Sequence, residues 1–168
     1  MRELRVHKVT VNIGVGESGD KLVKAETLLQ RITGVKPVRT IAKVTEPTFS
    51  IRKKQQIGVK VTLRKANAED FIKKALVAAG RKVKPTSFDA QGGFSFGVKE
   101  CLELPGFRYD PQIGVFGFDV CVDLERPGYR VKRRSLKNAK VGKTHMITKE
   151  DAMEFAKNRL GVEISGEA

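Results

Sequence analysis

Two stretches of the chain, Lys8–Val15 and Ile57–Arg64, alternate apolar with polar residues. A period of two is typical of a β-strand with one buried and one exposed face, because successive side chains point to opposite sides. If both strands lie in one sheet, their exposed side chains share an outward face that carries no carboxylate. That set comprises Lys8, Thr10, Asn12, Lys60, Thr62 and Arg64. Cations beside hydroxyl and amide groups suit a phosphodiester backbone, so the pattern predicts a surface for nucleic acid.

Apolar residues spaced three and four positions apart predict three amphipathic helices. Their expected capping residues and terminating glycines are Ser18 or Asp20 with Gly34, Asn67 with Gly80, and Thr148 with Gly161. Asp70 is expected at the third position after the Asn67 cap, and Asp151 follows Thr148 by the same three residues. Further extended segments are expected at Pro37–Val44, Phe49–Ile51, Phe94–Val98 and Val115–Glu125.

The polar side of the last extended segment is acidic, since it carries Asp119, Asp123 and Glu125. This charge is opposite to that of the first two strands, so we expect this strand not to face the same phosphates. The charge reverses directly afterwards: between Arg126 and Lys143, eight residues are Lys or Arg and none is acidic. This segment contains few apolar residues, so it cannot build a core alone. We expect residues 126–147 to form an extended basic arm that becomes ordered against its partner.

Composition supports a polyanionic partner. The chain of 168 residues has the length of one domain, and its net charge is +14 with a pI of about 10.0, which points to nucleic acid or an acidic membrane surface. No apolar run approaches the roughly 20 residues of a membrane span, and the polar start predicts no signal peptide. Cys101 and Cys121 lack the spacing of metal ligands and are expected to be buried, reduced thiols.

The segment Gly14–Gly19 matches Gly-x-Gly-x-x-Gly between a strand and a helix, which is the setting of a dinucleotide-binding turn. Such a site needs an acid about 20 residues later to bind the ribose, whereas Arg39 and Lys43 stand on the following strand. We therefore interpret the glycines as a tight turn and expect no cofactor. Neither His7 nor His145 belongs to a nucleophile or metal motif, so the sequence predicts no enzyme and no metal.

The segment Arg52–Gln56 has no apolar residue and no glycine, and we interpret it as a mobile basic loop at the tip of a hairpin. A solvated connection with no partner is the alternative. Phe49 precedes this loop between two polar residues, where its ring is placed to stack on a base or sugar. The phenylalanines of the later strands lie on the apolar side and are expected to pack in the core; they are Phe94, Phe96, Phe116 and Phe118.

Five segments carry a likeness to a known family, and they occur in its order. They are Val11–Glu17, Thr33–Thr40, Phe49–Arg52, Ile57–Arg64 and Gly93–Glu100. Together they resemble the large-subunit ribosomal protein five family in its archaeal form, over nearly the whole chain from about Arg2 to Val162. The resemblance implies a single α+β domain over residues 1–168, an antiparallel sheet with helices packed on one face, plus an extended basic arm near the C-terminus.

The resemblance also implies a function and a set of partners. Members of the family are structural proteins of the large ribosomal subunit in the cytoplasm, and they bind 5S rRNA in the central protuberance. The other implied partners are large-subunit rRNA, peptidyl-site tRNA, a small-subunit protein at an intersubunit bridge and other 5S-binding ribosomal proteins, with no membrane. A generic basic module for any RNA or DNA, and a nucleotide-dependent enzyme using Gly14–Gly19, are the alternatives.

By motif, the resemblance implies that Asn12 and Thr62 hydrogen-bond RNA and that Phe49 packs against it. The candidate rRNA-binding residues are Lys8, Thr10, Asn12, Arg39, Phe49, Lys60, Thr62, Arg64, Arg130, Lys132, Arg133 and Arg134. The candidate tRNA-binding residues are Arg52, Lys53, Lys54, Gln55 and Gln56. Many relatives carry an RNA-contacting Gln where this chain has Val35, so that contact is either missing or supplied by Lys36.

Overall fold

Seven strands and four helices follow one another along residues 1–164, the part of the chain that the computed structural model describes. The last residues of the predicted single domain, 165–168, lie outside the described residues. The strands are β1 (Arg5–Gly14), β2 (Val38–Ile41), β3 (Gln56–Leu63), β4 (Lys82–Val83), β5 (Phe94–Val98), β6 (Phe118–Glu125) and β7 (Glu163–Ile164). The helices are α1 (Asp20–Thr33), α2 (Ala66–Ala78), α3 (Arg130–Arg133) and α4 (Lys149–Leu160).

Five of the strands form one antiparallel sheet in the order β2-β3-β1-β6-β5, with β1 at its centre. Thr10 of β1 lies opposite Thr62 of β3 on one side and opposite Cys121 of β6 on the other. The two strands with the clearest alternation therefore do pair directly, as the outward-face prediction required. The short strands β4 and β7 pair in parallel as a separate ribbon.

One face of the sheet is covered by helices, with α1 packed on β3 and α2 packed on β1. The alternating apolar residues of β1 are almost fully buried there, against Leu28 and Leu29 of α1 and Ile72 of α2. Burying each such side chain contributes about 1.5–3 kcal/mol. Ala152 and Ala156 of α4 belong to the same core. The predicted α+β fold, with an antiparallel sheet and helices on one face, is confirmed.

The predicted helix ends are confirmed more often than the predicted helix starts. Gly34 and Gly161 end their helices in the left-handed conformation, with φ of 68° and 64°. The predicted start of α4 at Thr148 is also confirmed, and there Thr148 and Asp151 form a capping box. The two other helices begin without a side-chain cap, after Gly19 and Lys65. Two predicted starts are therefore wrong. Neither Ser18 nor Asp20 caps α1, and Asn67 lies inside the first turn of α2 instead of capping it.

Residues 42–55 connect β2 to β3 as an ordered excursion. Its tip is the short 3₁₀ turn Pro47–Phe49, closed by two backbone hydrogen bonds between Glu46 and Ile51 of 2.9 and 3.1 Å. The segment Arg52–Gln56 lies beyond the tip, where it makes a second turn and then enters β3. The predictions that Arg52–Gln56 form the tip and that Phe49–Ile51 are extended are therefore wrong, because the chain turns at Pro47.

The basic arm, residues 126–147, folds back on the sheet, and the predicted extended conformation is not confirmed. It contains the short helix α3, and its Ala139 backbone N–H donates to the carbonyl of Val131 at 3.2 Å. Arg126 anchors its start, because the guanidinium donates to Asp151 at 2.9 Å and to the Met146 carbonyl at 3.1 Å. These contacts hold the arm against the start of α4.

A buried carboxylate joins the arm to the sheet. Glu125, the last residue of β6, is 4 % exposed, and its oxygens lie 2.7 Å from Nδ1 of His7 and 2.6 Å from the guanidinium of Arg133 in α3. Arg5 approaches it at 3.8 Å. A buried charge is tolerated only when it is paired, so Glu125 depends on these neighbours. The other ring nitrogen of His7 faces the guanidinium groups of Arg64 and Arg133 and accepts from them, which requires a neutral ring.

The pKa of His7 lies below its usual 6.5, chiefly because the ring is partly buried. The nearby Glu125 carboxylate opposes this shift, and the cations Arg133 and Arg64 add to it. The unfolded chain therefore takes up a proton at a higher pH than the folded chain does. Well above pH 6.5 the ring is neutral in both the folded and the unfolded chain, so its titration does not affect stability. As the pH drops through and below 6.5, the unfolded chain is protonated first and the free energy of unfolding falls.

We predict that the free energy of unfolding, measured by urea titration, decreases between pH 7.5 and 5.5 and that His7→Gln removes most of this decrease. Glutamine keeps one donor and one acceptor but does not titrate in this range. The scan stays above pH 5 because the carboxyls of Asp110 and Asp151, whose pKa values are lowered by hydrogen bonds, titrate in more acidic solution. An equal pH dependence in the variant would show that His7 is not its source.

Candidate nucleic-acid interface

The face of the sheet opposite the helices is polar, and strand pairing arranges its side chains in rows. One row runs through Val38, Lys60, Asn12, Asp119 and Gly97, in register across all five strands. The next row runs through Thr62, Thr10, Cys121 and Ser95. Asn12 and Thr62 therefore point to the same outward side, as the sequence predicted. Val38 joins this face from β2, which the sequence pattern did not reveal.

The face is not free of carboxylates, which corrects the sequence-based expectation. Strand β6 pairs directly with β1, so Asp119 lies beside Asn12 and Asp123 lies beside Lys8, with a 3.5 Å ion pair to the latter. Cys121 lies between these acids and is exposed, which also corrects the prediction that both thiols are buried; Cys101 is buried. Partial burial and the Asp119 charge raise the pKa of the Cys121 thiol.

The outward face consequently has two halves of opposite charge. The basic half-face consists of residues on β1, on β3 and directly after β3: Lys8, Thr10, Asn12, Lys60, Thr62 and Arg64. The acidic half-face consists of Asp119 and Asp123 on β6. Neighbouring strands are about 4.8 Å apart, and β1 lies between β3 and β6. The strands of Lys60 and Asp119 are therefore roughly 10 Å apart, which is about one Debye length at physiological salt. A phosphate backbone is attracted over β3 and repelled over β6, with neutral polar groups at the boundary.

Arg39 is placed on the helix side of the sheet rather than on the outward face. It lies opposite Val59, a core residue, at the edge strand β2. Its guanidinium donates to the Glu26 carboxylate of α1 at 2.7 and 2.8 Å and to the Gln56 side chain at 2.9 Å. The structure therefore separates Arg39 from the other candidate residues of the sheet, and its charge is already compensated by Glu26.

The excursion between β2 and β3 presents an aromatic ring beside basic side chains. Phe49 is 73 % exposed at the tip, and Arg52, Lys53 and Lys54 are exposed on the return path. The two glutamines that follow are used within the protein. Gln55 accepts from the Arg52 backbone at 2.9 Å and donates to Ser18 at 3.2 Å, whereas Gln56 accepts from Arg39.

The four candidate residues of the arm also differ in availability. Arg133 is held by Glu125 and His7, and the guanidinium of Arg134 donates to the Lys137 carbonyl at 2.7 Å. Arg130 is exposed, and the ammonium of Lys132 lies 5.9 Å from the centre of the Tyr129 ring. In this run of basic residues, some side chains are therefore hydrogen-bonded within the protein and others face solvent.

The alternatives with a cofactor or a metal gain no support from the geometry. The segment Gly14–Gly19 is a turn in which the backbone N–H groups of Val15 and Gly16 donate to the Ile57 carbonyl at 3.0 and 2.8 Å. The sheet beside it is antiparallel, whereas a dinucleotide site of that kind needs a parallel one. Within residues 1–164, no group of three His, Cys, Asp or Glu side chains is arranged to hold a metal ion, and no helix is long and apolar enough to cross a membrane.

Val35, at the position where many relatives are expected to carry an RNA-contacting Gln, packs against the core.

Comparison with known proteins gives a consistent match along the chain. Residues 1–52 match the family described as "Ribosomal protein L5", and residues 56–155 match the model of the C-terminus of the same ribosomal protein family. The chain is 56 % identical to the large ribosomal subunit protein uL5 of Sulfurisphaera tokodaii, over 98 % of this chain and 93 % of that protein. It is 48 % identical to the uL5 proteins of Methanococcus aeolicus, over 99 % and 94 %, and Methanococcus vannielii, over 98 % and 92 %. The chain therefore belongs to the ribosomal L5 family, and the relatives that it matches are proteins of the large ribosomal subunit.

Proposed function

We propose that this ribosomal protein binds 5S rRNA with its basic half-face and contacts peptidyl-site tRNA with the excursion between β2 and β3. The observation that carries the first part is the register of the sheet. Lys60, Asn12 and Asp119 stand in one row, so a cation, an amide and a carboxylate follow one another across the surface. In this proposal, the RNA backbone lies over the Lys60 end of the row, and the Asp119 carboxylate repels it from the other end.

The chemistry of the basic half-face fits RNA in two ways. Lys60 and Arg64 are exposed cations of β3 and of the residue that follows it, and such cations position a phosphate backbone without reading sequence. Thr10, Asn12 and Thr62 are neutral donors and acceptors, which suit the 2′-hydroxyls and base edges of a wide RNA minor groove or an unpaired loop. The acidic half-face on β6 disfavours a shift of the RNA towards β5.

The excursion supplies a different kind of surface. An exposed Phe49 ring beside Arg52, Lys53 and Lys54 combines a stacking platform with cations, the combination used for unpaired nucleotides. These residues belong to a connection outside the strands, so the excursion and the basic half-face can act on separate RNA molecules. The exposed cations of the basic arm add contacts to large-subunit rRNA. A small-subunit protein at an intersubunit bridge and other 5S-binding proteins complete the proposed set of partners.

One prediction concerns the neutral polar contacts of the sheet. Asn12→Ala and Thr62→Val should each weaken binding to 5S rRNA by about 1–3 kcal/mol, because each leaves a partner on the RNA without its hydrogen bond. Asn67→Ala, on the helix side, is the matched control and should bind normally. Binding is measured by filter retention with excess random RNA duplex as competitor. Unchanged affinity in both sheet variants would remove these side chains from the interface.

The same competition separates specific from generic binding. A protein adapted to 5S rRNA retains it in the presence of the duplex, whereas a generic basic module releases it. The generic alternative is favoured only by the net charge of +14, which does not distinguish between nucleic acids.

Another prediction concerns salt dependence. If about eight phosphates are contacted, the logarithm of the binding constant should fall with the logarithm of salt at a slope near −7. Lys60→Gln should reduce the magnitude of this slope by about one, and it should weaken specific and non-specific RNA to a similar degree. Lys74→Gln on α2 removes the same charge from the other side of the sheet and should leave the slope unchanged. Equal effects of the two variants would mean that only net charge matters.

A third prediction separates the excursion from the sheet. Replacing Arg52, Lys53 and Lys54 together with Gln should leave 5S rRNA affinity within about twofold and accelerate the release of peptidyl-site tRNA from ribosomes that contain the variant. Phe49→Ala should act in the same direction. Release is followed by dissociation of labelled tRNA, with the Lys60→Gln protein as a comparison. A loss of 5S rRNA binding in the triple variant would contradict this division.

A further inference from the structure

A cleft of about 700 Å³ lies between the basic arm and the end of the sheet. Its walls are held by specific contacts. The Tyr129 hydroxyl accepts from the Ile147 backbone N–H at 3.0 Å and donates to the His145 carbonyl at 3.2 Å. Behind the lining, Gly92 packs so closely on Ile147 that a Cβ at this position would collide with it. The cleft is therefore built into the fold and has the size of many small-molecule sites.

The floor of this cleft is apolar. Tyr129 and Met146, which is 41 % exposed, present the apolar surface, and Leu124 of β6 and Ile147, each 2 % exposed, lie beneath it. An apolar surface that includes an aromatic ring suits a planar ligand whose faces are apolar. A nucleobase is such a group, and its edges need polar partners at the rim.

The rim supplies both amides and cations. Asn138 donates from its side chain to the Lys132 carbonyl at 3.0 Å, which leaves its own carbonyl oxygen to accept, and Gln91 also lines the cleft. Amide groups in this position match the edges of a base. Lys132, Lys140 and Lys143 also line the cleft.

These three lysines give the rim an unbalanced positive charge. None of them forms an ion pair with a carboxylate of residues 1–164. The two β6 acids of the lining are already paired, Asp123 with Lys8 and Glu125 with His7 and Arg133. Asp89 adds one carboxylate, which accepts from a backbone N–H at 2.8 Å. An anionic ligand is therefore favoured at the rim above an apolar floor.

From this combination we infer that the cleft binds one unstacked nucleotide of a single-stranded RNA segment, with the base against Tyr129 and Met146 and the flanking phosphates at the arm lysines. The inference rests on the proposed RNA-binding function and adds a second, base-accepting site to it. Lys8 belongs both to the basic half-face and to the lining of the cleft, so a strand that leaves the sheet can enter the cleft directly.

The experiment uses the full chain with labelled methyl groups and two RNA probes of equal phosphate number, a short oligouridylate and a hairpin whose two strands are joined by a non-nucleotide linker, so that every base is paired. The oligouridylate should shift the methyl signals of Met146 and Ile147, because it offers unstacked bases. The hairpin should leave these signals in place and shift the Thr62 methyl on the outward face. A glutamate-rich peptide of equal charge is the third probe and should shift neither cleft signal.

Ala139→Trp is the variant that fills the cleft, since Ala139 is exposed and lies in its lining. It should lower affinity for oligouridylate about tenfold and leave affinity for the paired hairpin unchanged. Ala90→Trp adds the same ring to the neighbouring loop at an exposed position outside the lining and should bind both probes normally. Photo-crosslinking of the unmodified protein with thiouridine-containing RNA, which depends on no variant, should label Tyr129 or Met146.

Three results would overturn the inference: equal shifts of Met146 and Ile147 with the paired hairpin, equal shifts with the acidic peptide, or no shift with oligouridylate while Thr62 responds. The last of these results leaves the proposed binding by the sheet intact. If neither the cleft nor Thr62 responds to any RNA, the proposed function fails together with the inference.

Discussion

The antiparallel pairing of β1 with both β3 and β6 is the constraint on which the rest of the structure depends. It buries the apolar side of the central strand under α1 and α2, and the same register sets which polar side chains become neighbours on the other face. A shift of one residue in either pairing would exchange the two faces of that strand, because the side-chain period is two. Core packing and the charge pattern of the outward face are therefore fixed by a single arrangement of backbone hydrogen bonds.

The same strand also organises the end of the molecule from which the basic arm departs. His7 lies where the pairing of β1 with β6 changes register, and this irregularity brings its ring to Glu125. The buried carboxylate then orients Arg133, so that the first part of the arm is attached to the sheet while the later lysines line the cleft. A buried ion pair contributes little net stability but specifies one arrangement, and here it fixes the position of a strongly basic segment that lacks a core.

Much of this organisation could be predicted from the sequence, because local periodicity determines which face of a strand is buried. The pattern of β1 and β3 places Asn12 and Thr62 on one outward face, and Gly34, Gly161 and Thr148 mark helix ends correctly. Strand order is not encoded in periodicity. Nothing in the pattern indicates that β6 lies beside β1, so the sequence predicts the acids at Asp119 and Asp123 on a different surface. Likewise, the side of β2 that carries Arg39 depends on its register with β3. An extended arm is predicted because the segment has few apolar residues, and the ion pairs of Glu125 with His7 and Arg133 that attach it to the sheet leave no periodic pattern in the sequence.

We propose that RNA lies over the β1 and β3 half of the outward face and stops at the acids of β6. The most direct measurement is an experimental structure of the chain bound to 5S rRNA. It should show phosphates within about 4 Å of the side chains of Lys60 and Arg64, polar contacts from Asn12, and no phosphate over Asp119. A complex in which the RNA backbone crosses β6, or in which it contacts only the helix side of the sheet, would contradict the account.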